Sequence, residues 1–188
     1  MSHRPKAVLV GPPGAGKTTV GRRLASALGT EFTDTDALIA QDHGTSCGEV
    51  FAEVGEEAFR ELEYAAVEKA LAKGGIVALG GGAVETEAVR TLLAGHRVVW
   101  VDVSAEEGAR RTSGDDSRPI LAADDPKARY TALLARRAPL YRSVAAHKVR
   151  TDNKRPPQIV ADVLNWLDEE KSADRQERRP VIHHPETD

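Results

Sequence analysis

A chain of 188 residues, 40% of them hydrophobic, has the size of one domain and enough apolar surface for a single sizeable core, which excludes a wholly disordered protein. One cysteine, Cys47, rules out an internal disulfide, and six scattered histidines without zinc spacing leave no structural metal to hold the fold. The net charge of −3 conceals a basic segment, 12 Lys and Arg against 5 Asp between Arg110 and Arg155, and an acidic one, 7 acids against 4 bases from Asp168 to Asp188; at 4% aromatics, the basic segment suits a phosphorylated small molecule better than single-stranded nucleic acid.

No N-terminal segment joins a charged start to an apolar run of about 7–15 residues, and nothing approaches the length of a membrane span, so a soluble, cytoplasmic protein is expected. The first element is "KAVLVG", Lys6 to Gly11, a short apolar run ended by glycine that predicts a strand. A loop follows. Val20, Leu24, Ala27 and Leu28 then fall at helical spacing within Thr18 to Leu28, and a second short strand ends near Asp34. "TSCGE" offers Ser46 as an N-cap with Glu49 three residues on, a capping box for a helix entering "VFAEV". Beyond Gly55, Phe59, Leu62, Ala66 and Ala70 share one face of a longer helix that Gly74 and Gly75 stop.

"IVAL", Ile76 to Leu79, and "RVVWVDV", Arg97 to Val103, are unalternated apolar runs, the pattern of strands buried on both faces of a parallel sheet. A further strand is predicted at "AHKVRT" and a C-terminal helix around Ile159 to Leu167. Strands alternating with helices predict a doubly wound α/β sandwich of three layers, a five-stranded parallel sheet flanked by helices. "TSGDDSRPILAADDP", Thr112 to Pro126, has loop composition and the length of a mobile lid, whereas the segment from about Glu170 onward has little to bury and is expected to be a disordered tail. One domain over 1–169, with a lid at about 112–126 and a tail over 170–188, is the expected organisation.

Chemistry enters with "GPPGAGKT", Gly11 to Thr18, which fits G-x-x-x-x-G-K-[ST] between a predicted strand and a predicted helix. Its glycines let the backbone curl so that successive N–H groups aim at phosphate oxygens, and the helix N-terminus adds partial positive charge. Gly14, Ala15, Gly16, Lys17, Thr18 and Thr19 are therefore expected to hold ATP, with Lys17 reaching the β and γ phosphates and the Thr18 hydroxyl ligating Mg²⁺. A guanine switch is disfavoured, because "NKRP" at Asn153 to Pro156 has proline where N-K-x-D needs aspartate.

Most enzymes with this loop hold magnesium through a second carboxylate at the end of a neighbouring strand. Two candidates compete: Asp102, which ends the run "VVWVD", and the pair Asp34 and Asp36 in "FTDTDALI". For Asp102 an exposed acid at a strand end is the favoured reading, since sequence alone does not place its strand beside the phosphate loop.

The chain resembles the shikimate kinases, small P-loop kinases of the nucleoside-monophosphate-kinase-like group. The resemblance rests on the phosphate loop together with "DTD" at Asp34 to Asp36, "GEEAFRELE" at Gly55 to Glu63, "LGGGAV" at Leu79 to Val84, "RRTSGDDSRPIL" at Arg110 to Leu121 and "RRAPLYR" at Arg136 to Arg142, in order over about residues 6–167. It implies that Asp36 takes the proton of the shikimate 3-hydroxyl as that oxygen attacks the γ-phosphate, and that Asp34 sits beside magnesium through water. It implies that Arg60 and Arg137 bind the substrate carboxylate, a planar group that a guanidinium matches with two parallel hydrogen bonds, with Glu63 orienting Arg60. Gly81 and Gly82 are expected to offer N–H groups to the substrate, Arg118 in the lid to close on the transferring phosphate, and Arg111 to stack on adenine. In "RTDNKRPP" the adenine loop varies, leaving Lys154 or Arg155 as a nucleotide contact.

The same resemblance implies a monomer working on shikimate and ATP, with no nucleic-acid or membrane partner. Cys47 reads as a small residue of the acceptor side rather than a nucleophile, and Trp100 reads as core. Competing readings are another small-molecule kinase, such as one for gluconate, and a silent nucleotide-binding regulator. The motifs at Gly55 to Glu63 and Arg136 to Arg142 speak for shikimate, and a pure sensor needs no set such as Asp36, Arg60, Arg118 and Arg137.

Overall fold

The structure, a computed structural model, describes residues 4–113 and 125–177. Strands β1 (Ala7–Val10), β2 (Phe32–Asp34), β3 (Ile76–Ala78), β4 (Val98–Asp102) and β5 (His147–Arg150) pair in parallel in the order β2-β3-β1-β4-β5. Among the described residues the helices are α1 (Lys17–Ala27), α2 (Thr35–His43), α3 (Cys47–Val54), α4 (Glu56–Lys73), α5 (Glu87–Leu93), α6 (Ala105–Thr112), α7 (Pro126–Val144) and α8 (Pro156–Glu177), with a 3₁₀ turn at Ala83–Glu85. The expected helix-flanked, five-stranded parallel sheet is thus present.

β1 explains the unalternated apolar runs. Its side chains alternate between faces, and each face has its own core: Ala7 and Leu9 join residues of α1, α7 and α8, while Val8 and Val10 join residues of α2 to α5. Because helices cover both faces, no position of β1 is free to be polar.

At α3, Ser46 Oγ accepts from the Glu49 N–H at 3.2 Å and the Glu49 carboxylate accepts from the Ser46 N–H at 3.1 Å, the capping box read from the sequence. α4 ends at Lys73 before Gly74.

Two boundaries need correction. α8 does not stop before residue 170 but continues to Glu177, so the first part of the expected tail is helical. Lys171 pairs with Asp168 at 3.3 Å, and Arg97 Nη2, just before β4, reaches Asp174 at 2.8 Å. An exposed helical extension anchored at one end needs little burial of its own, which is why composition missed it. The expected lid is narrower at both edges: Thr112 closes α6, and Pro126 opens α7 with Asp125 capping the Ala128 N–H at 3.0 Å. Residues 114–124, with Arg118, and residues 178–188 lie outside the described residues.

Parallel strands end on one side of the sheet. The segments that follow β1, β2 and β3 are the phosphate loop, the Asp34 to Asp36 turn and the triple glycine, so this topology delivers all three to the same rim.

Candidate active site

On that rim a cleft of about 560 Å³ is lined by Gly14, Gly16, Lys17, Thr18 and Thr19, by Asp34 and Asp36, and by Arg60, Glu63, Gly81, Gly82 and Arg137. The Lys17 ammonium lies over its own loop, donating to the carbonyls of Gly11 at 2.7 Å and Pro12 at 3.0 Å. α1 starts at Gly16 with no side chain capping it and no acid in its first turn, so its first amides keep their capacity for an anion. Ala15 is fully buried and its N–H points to the Pro12 carbonyl at 3.3 Å.

The competition between acids has a geometric answer. Asp102 is 4% exposed on the strand next to β1, and its Oδ2 is held by Lys148 Nζ at 3.2 Å and Arg150 Nη1 at 2.9 Å, both on β5. It is a paired structural carboxylate. Asp34 instead accepts from Thr18 Oγ1 at 2.9 Å through Oδ2, while its Oδ1 caps α2 at the Asp36 N–H, 2.9 Å away. One carboxylate thereby fixes the start of the helix that carries Asp36 and meets the phosphate-loop hydroxyl.

Asp36 stands over the triple glycine. A Cβ on Gly80 would run into its carboxylate, so only glycine lets that backbone approach so closely, and the Gly80 N–H is bound by Thr35 Oγ1 at 3.0 Å. Cys47 lines the same wall and donates S–H to Asp36 Oδ1 at 3.6 Å. Burial and the Asp36 charge push its thiol above its usual range, which keeps it a protonated donor and a poor nucleophile.

Paired charges also line the cleft. Arg60 Nη1 donates to Glu63 Oε1 at 2.7 Å, one turn along α4. Glu63 is 2% exposed, and burial raises its carboxyl to about 7 against the opposing pull of Arg60. Arg137, 4% exposed on α7, meets Arg60 at Gly82: a Cβ there would stand 2.7 and 2.9 Å from the two Nη atoms of Arg60 and 3.0 Å from Arg137 Nη2.

Arg111 and Lys154 are not among the lining residues. Arg111 bridges the Gly14 carbonyl at 3.2 Å and Thr151 Oγ1 at 3.1 Å, with Nε on Glu107 at 2.8 Å, and so joins the phosphate loop to the segment after β5. Three hydrogen bonds, two from Arg110 and one from Arg111, hold the Glu107 carboxyl down at about 2. Lys154, exposed, lies in that segment with its N–H on the Thr151 carbonyl at 3.3 Å.

Sequence reasoning passed over Thr35, Tyr130, Tyr141 and Glu85. Tyr130 donates to the Pro13 carbonyl at 2.7 Å and Tyr141 to the Gly81 carbonyl at 2.6 Å, so α7 tethers both glycine loops. Glu85 contacts Arg60, Arg136 and Arg137. No local pattern marks these residues, although buried tyrosines commonly find a backbone partner for the hydroxyl.

Comparison with known proteins gives this geometry its context. A family model described as shikimate kinase matches residues 13–168. The shikimate kinase of Corynebacterium efficiens is 55% identical over 167 residues, 89% of this chain and 99% of that one, and that of Corynebacterium diphtheriae is 55% identical over 165 residues, 88% and 95%. Among solved structures, the shikimate kinase from Acinetobacter baumannii in complex with shikimate matches with a TM-score of 0.85 and 35% identity, covering 90% of this chain and 96% of that one. The chain belongs to the shikimate kinase family.

Proposed function

We propose that the chain transfers the γ-phosphate of ATP to the 3-hydroxyl of shikimate, giving shikimate 3-phosphate and ADP, in the synthesis of chorismate and the aromatic amino acids. The observation that carries this reading is a single cleft lined by the phosphate loop, the Asp36 carboxylate and the two arginines Arg60 and Arg137. Nothing in the reaction needs a covalent enzyme intermediate, so the protein's work is positioning and charge stabilisation.

The phosphate loop amides and Lys17 hold the nucleotide, and Lys17 exchanges its loop carbonyls for phosphate oxygens. Arg60 and Arg137 take the shikimate carboxylate, which turns the ring so that its 3-hydroxyl meets Asp36. Asp36 accepts that proton as the oxygen attacks, its aim kept by the capped start of α2, by Cys47 and by the bare backbone of Gly80. Arg118 supplies further positive charge from the lid, and Arg111 and Lys154 face the adenine end.

Thr18 Oγ1 and Asp34 Oδ2, hard oxygens 2.9 Å apart, suit a magnesium ion: the Thr18 hydroxyl would ligate it and Asp34 would sit beside it through water. When bound, Mg²⁺ offsets the charge of the β and γ phosphates. Among the described residues no group of three or more His, Cys, Asp or Glu side chains forms an all-protein metal cage, in keeping with an ion shared with the nucleotide.

A monomeric, cytoplasmic enzyme without a nucleic-acid or membrane partner completes the proposal; among the described residues no helix is long and apolar enough to cross a membrane. A coupled assay of ADP release tests the reaction. Release that depends on shikimate is expected; dependence on gluconate, or no acceptor dependence at all, would replace this reading with a different kinase or with a regulator.

A further inference from the structure

Two arginines aimed at one substrate carboxylate create an electrostatic problem, since their like charges repel until the substrate arrives. The 3₁₀ turn after the triple glycine holds the answer. Ala83 and Val84 are buried, which turns the next side chain, Glu85, away from the core. Arg90 Nη1 grips the Val84 carbonyl at 2.7 Å and the Glu85 carbonyl at 3.3 Å, so the turn has little freedom.

Glu85 Oε2 accepts from Arg60 Nη2 and from Arg137 Nη2, each at 3.1 Å, while Oε1 accepts from Arg136 Nε at 2.7 Å. One carboxylate therefore joins α4 to two successive residues of α7. Its side chain is 18% exposed, so these pairs are screened less than surface pairs.

Two roles are open to such a group: a rival that fills the place of the substrate carboxylate, or a brace behind the arginines. The lining decides. Arg60 and Arg137 form part of the cleft wall, whereas Glu85 and Arg136 do not. Glu85 thus pulls the guanidinia together from outside the substrate space, and Arg136, 61% exposed, anchors its second oxygen.

We propose that Glu85 is a positioning residue that brings Arg60 and Arg137 into register as one binding site for the acceptor's carboxylate, with Arg136 fixing Glu85 in turn. The proposal rests on the shikimate kinase reading of the same cleft. Glu63 pairs with Arg60; among the described residues Glu85 is the carboxylate that pairs with both guanidinia.

The test compares wild type, Glu85→Gln, Glu85→Ala and Arg136→Ala by steady-state kinetics, with folding checked by circular dichroism and thermal melting. Wild-type turnover of shikimate is measured first, and its absence overturns the function reading and the role of Glu85 together. With wild type active, Glu85→Gln and Glu85→Ala are expected to raise KM for shikimate about tenfold, the loss of one charge-assisted contact, with kcat and KM for ATP within about twofold. Arg136→Ala is expected to give a smaller rise of the same kind.

An acceptor analogue with the carboxylate reduced to a primary alcohol serves as control. It should be used equally by wild type and Glu85→Gln, an equality that general damage to the fold would not produce. Unchanged or lowered shikimate KM in the folded Glu85 variants overturns the proposal, the lowered value marking Glu85 as a rival to the substrate. Equal losses toward ATP, shikimate and the analogue, or failure of all three variants to fold, also overturn it, leaving Glu85 a residue of the scaffold.

Discussion

The two halves of the cleft are built by different means. In the proposed function, the nucleotide half is nearly contiguous, Gly11 to Thr19, and would rest largely on backbone amides at the start of α1. The acceptor half draws Asp36 from α2, Arg60 and Glu63 from α4, Gly80 to Gly82 from the turn after β3 and Arg137 from α7. A contiguous loop carries its geometry with it, whereas a dispersed site depends on how distant elements settle against one another. α7 is the mechanical link, with Tyr130 on the phosphate loop and Tyr141 on the triple glycine. Substitutions in the acceptor half should therefore alter shikimate use while leaving ATP binding nearly intact.

The largest expected effect comes from Asp36→Asn, which keeps the shape of the residue and removes the proton acceptor. Turnover should fall by about 10²–10⁴-fold while ATP binding, followed by calorimetry, survives. Normal turnover would remove Asp36 from the mechanism, and lost ATP binding would erase the separation between the halves. Arg60→Ala comes next. Losing a charge-assisted partner of the carboxylate should raise KM for shikimate by about 10–10²-fold with little change in KM for ATP, and wild-type kinetics would refute the carboxylate assignment.

Gly82→Ala probes the same site without removing a charge. Its methyl group would press on the Nη atoms of both arginines, so a shikimate defect of about tenfold is expected in steady-state kinetics. An unaffected KM would mean that the guanidinia have room to retreat.

The smallest effect is on stability. Burial raises the Glu63 carboxyl from 4.5 to about 7, so the folded protein binds that proton more tightly than the unfolded chain does. The corresponding stability is fully present below about pH 4.5 and is lost as pH rises through about 7. In urea denaturation, wild type should lose stability relative to Glu63→Gln across that window; a difference that is constant with pH would contradict dominance by burial.

What the sequence disclosed, and what it withheld, follows the same division. The phosphate loop, the capping box at Ser46 and Glu49, and the doubly buried strands depend on neighbours within a few positions, and the structure has them where the residues predict. Asp102, read as a strand-end acid, is buried rather than exposed, because an apolar run followed by an acid marks the end of a strand but not the direction of its carboxylate, which turns to Lys148 and Arg150. The link between Glu85 and Arg137 spans 52 positions and leaves no periodic trace. Gly80 was legible as part of a turn, but its reason, the Asp36 carboxylate overhead, exists only once β2 and β3 are side by side. α8 past residue 170 was missed because a solvated helix end and a disordered tail have the same composition.

The most direct test of the central claim, that one cleft holds an acceptor by its carboxylate at Arg60 and Arg137 and by its hydroxyl at Asp36, is a crystal structure with shikimate and ADP bound. The account predicts the carboxylate within hydrogen-bond distance of both guanidinia and the 3-hydroxyl within the same reach of Asp36. A shikimate molecule bound with its carboxylate away from both arginines, or with Asp36 beyond reach of the 3-hydroxyl, would contradict it.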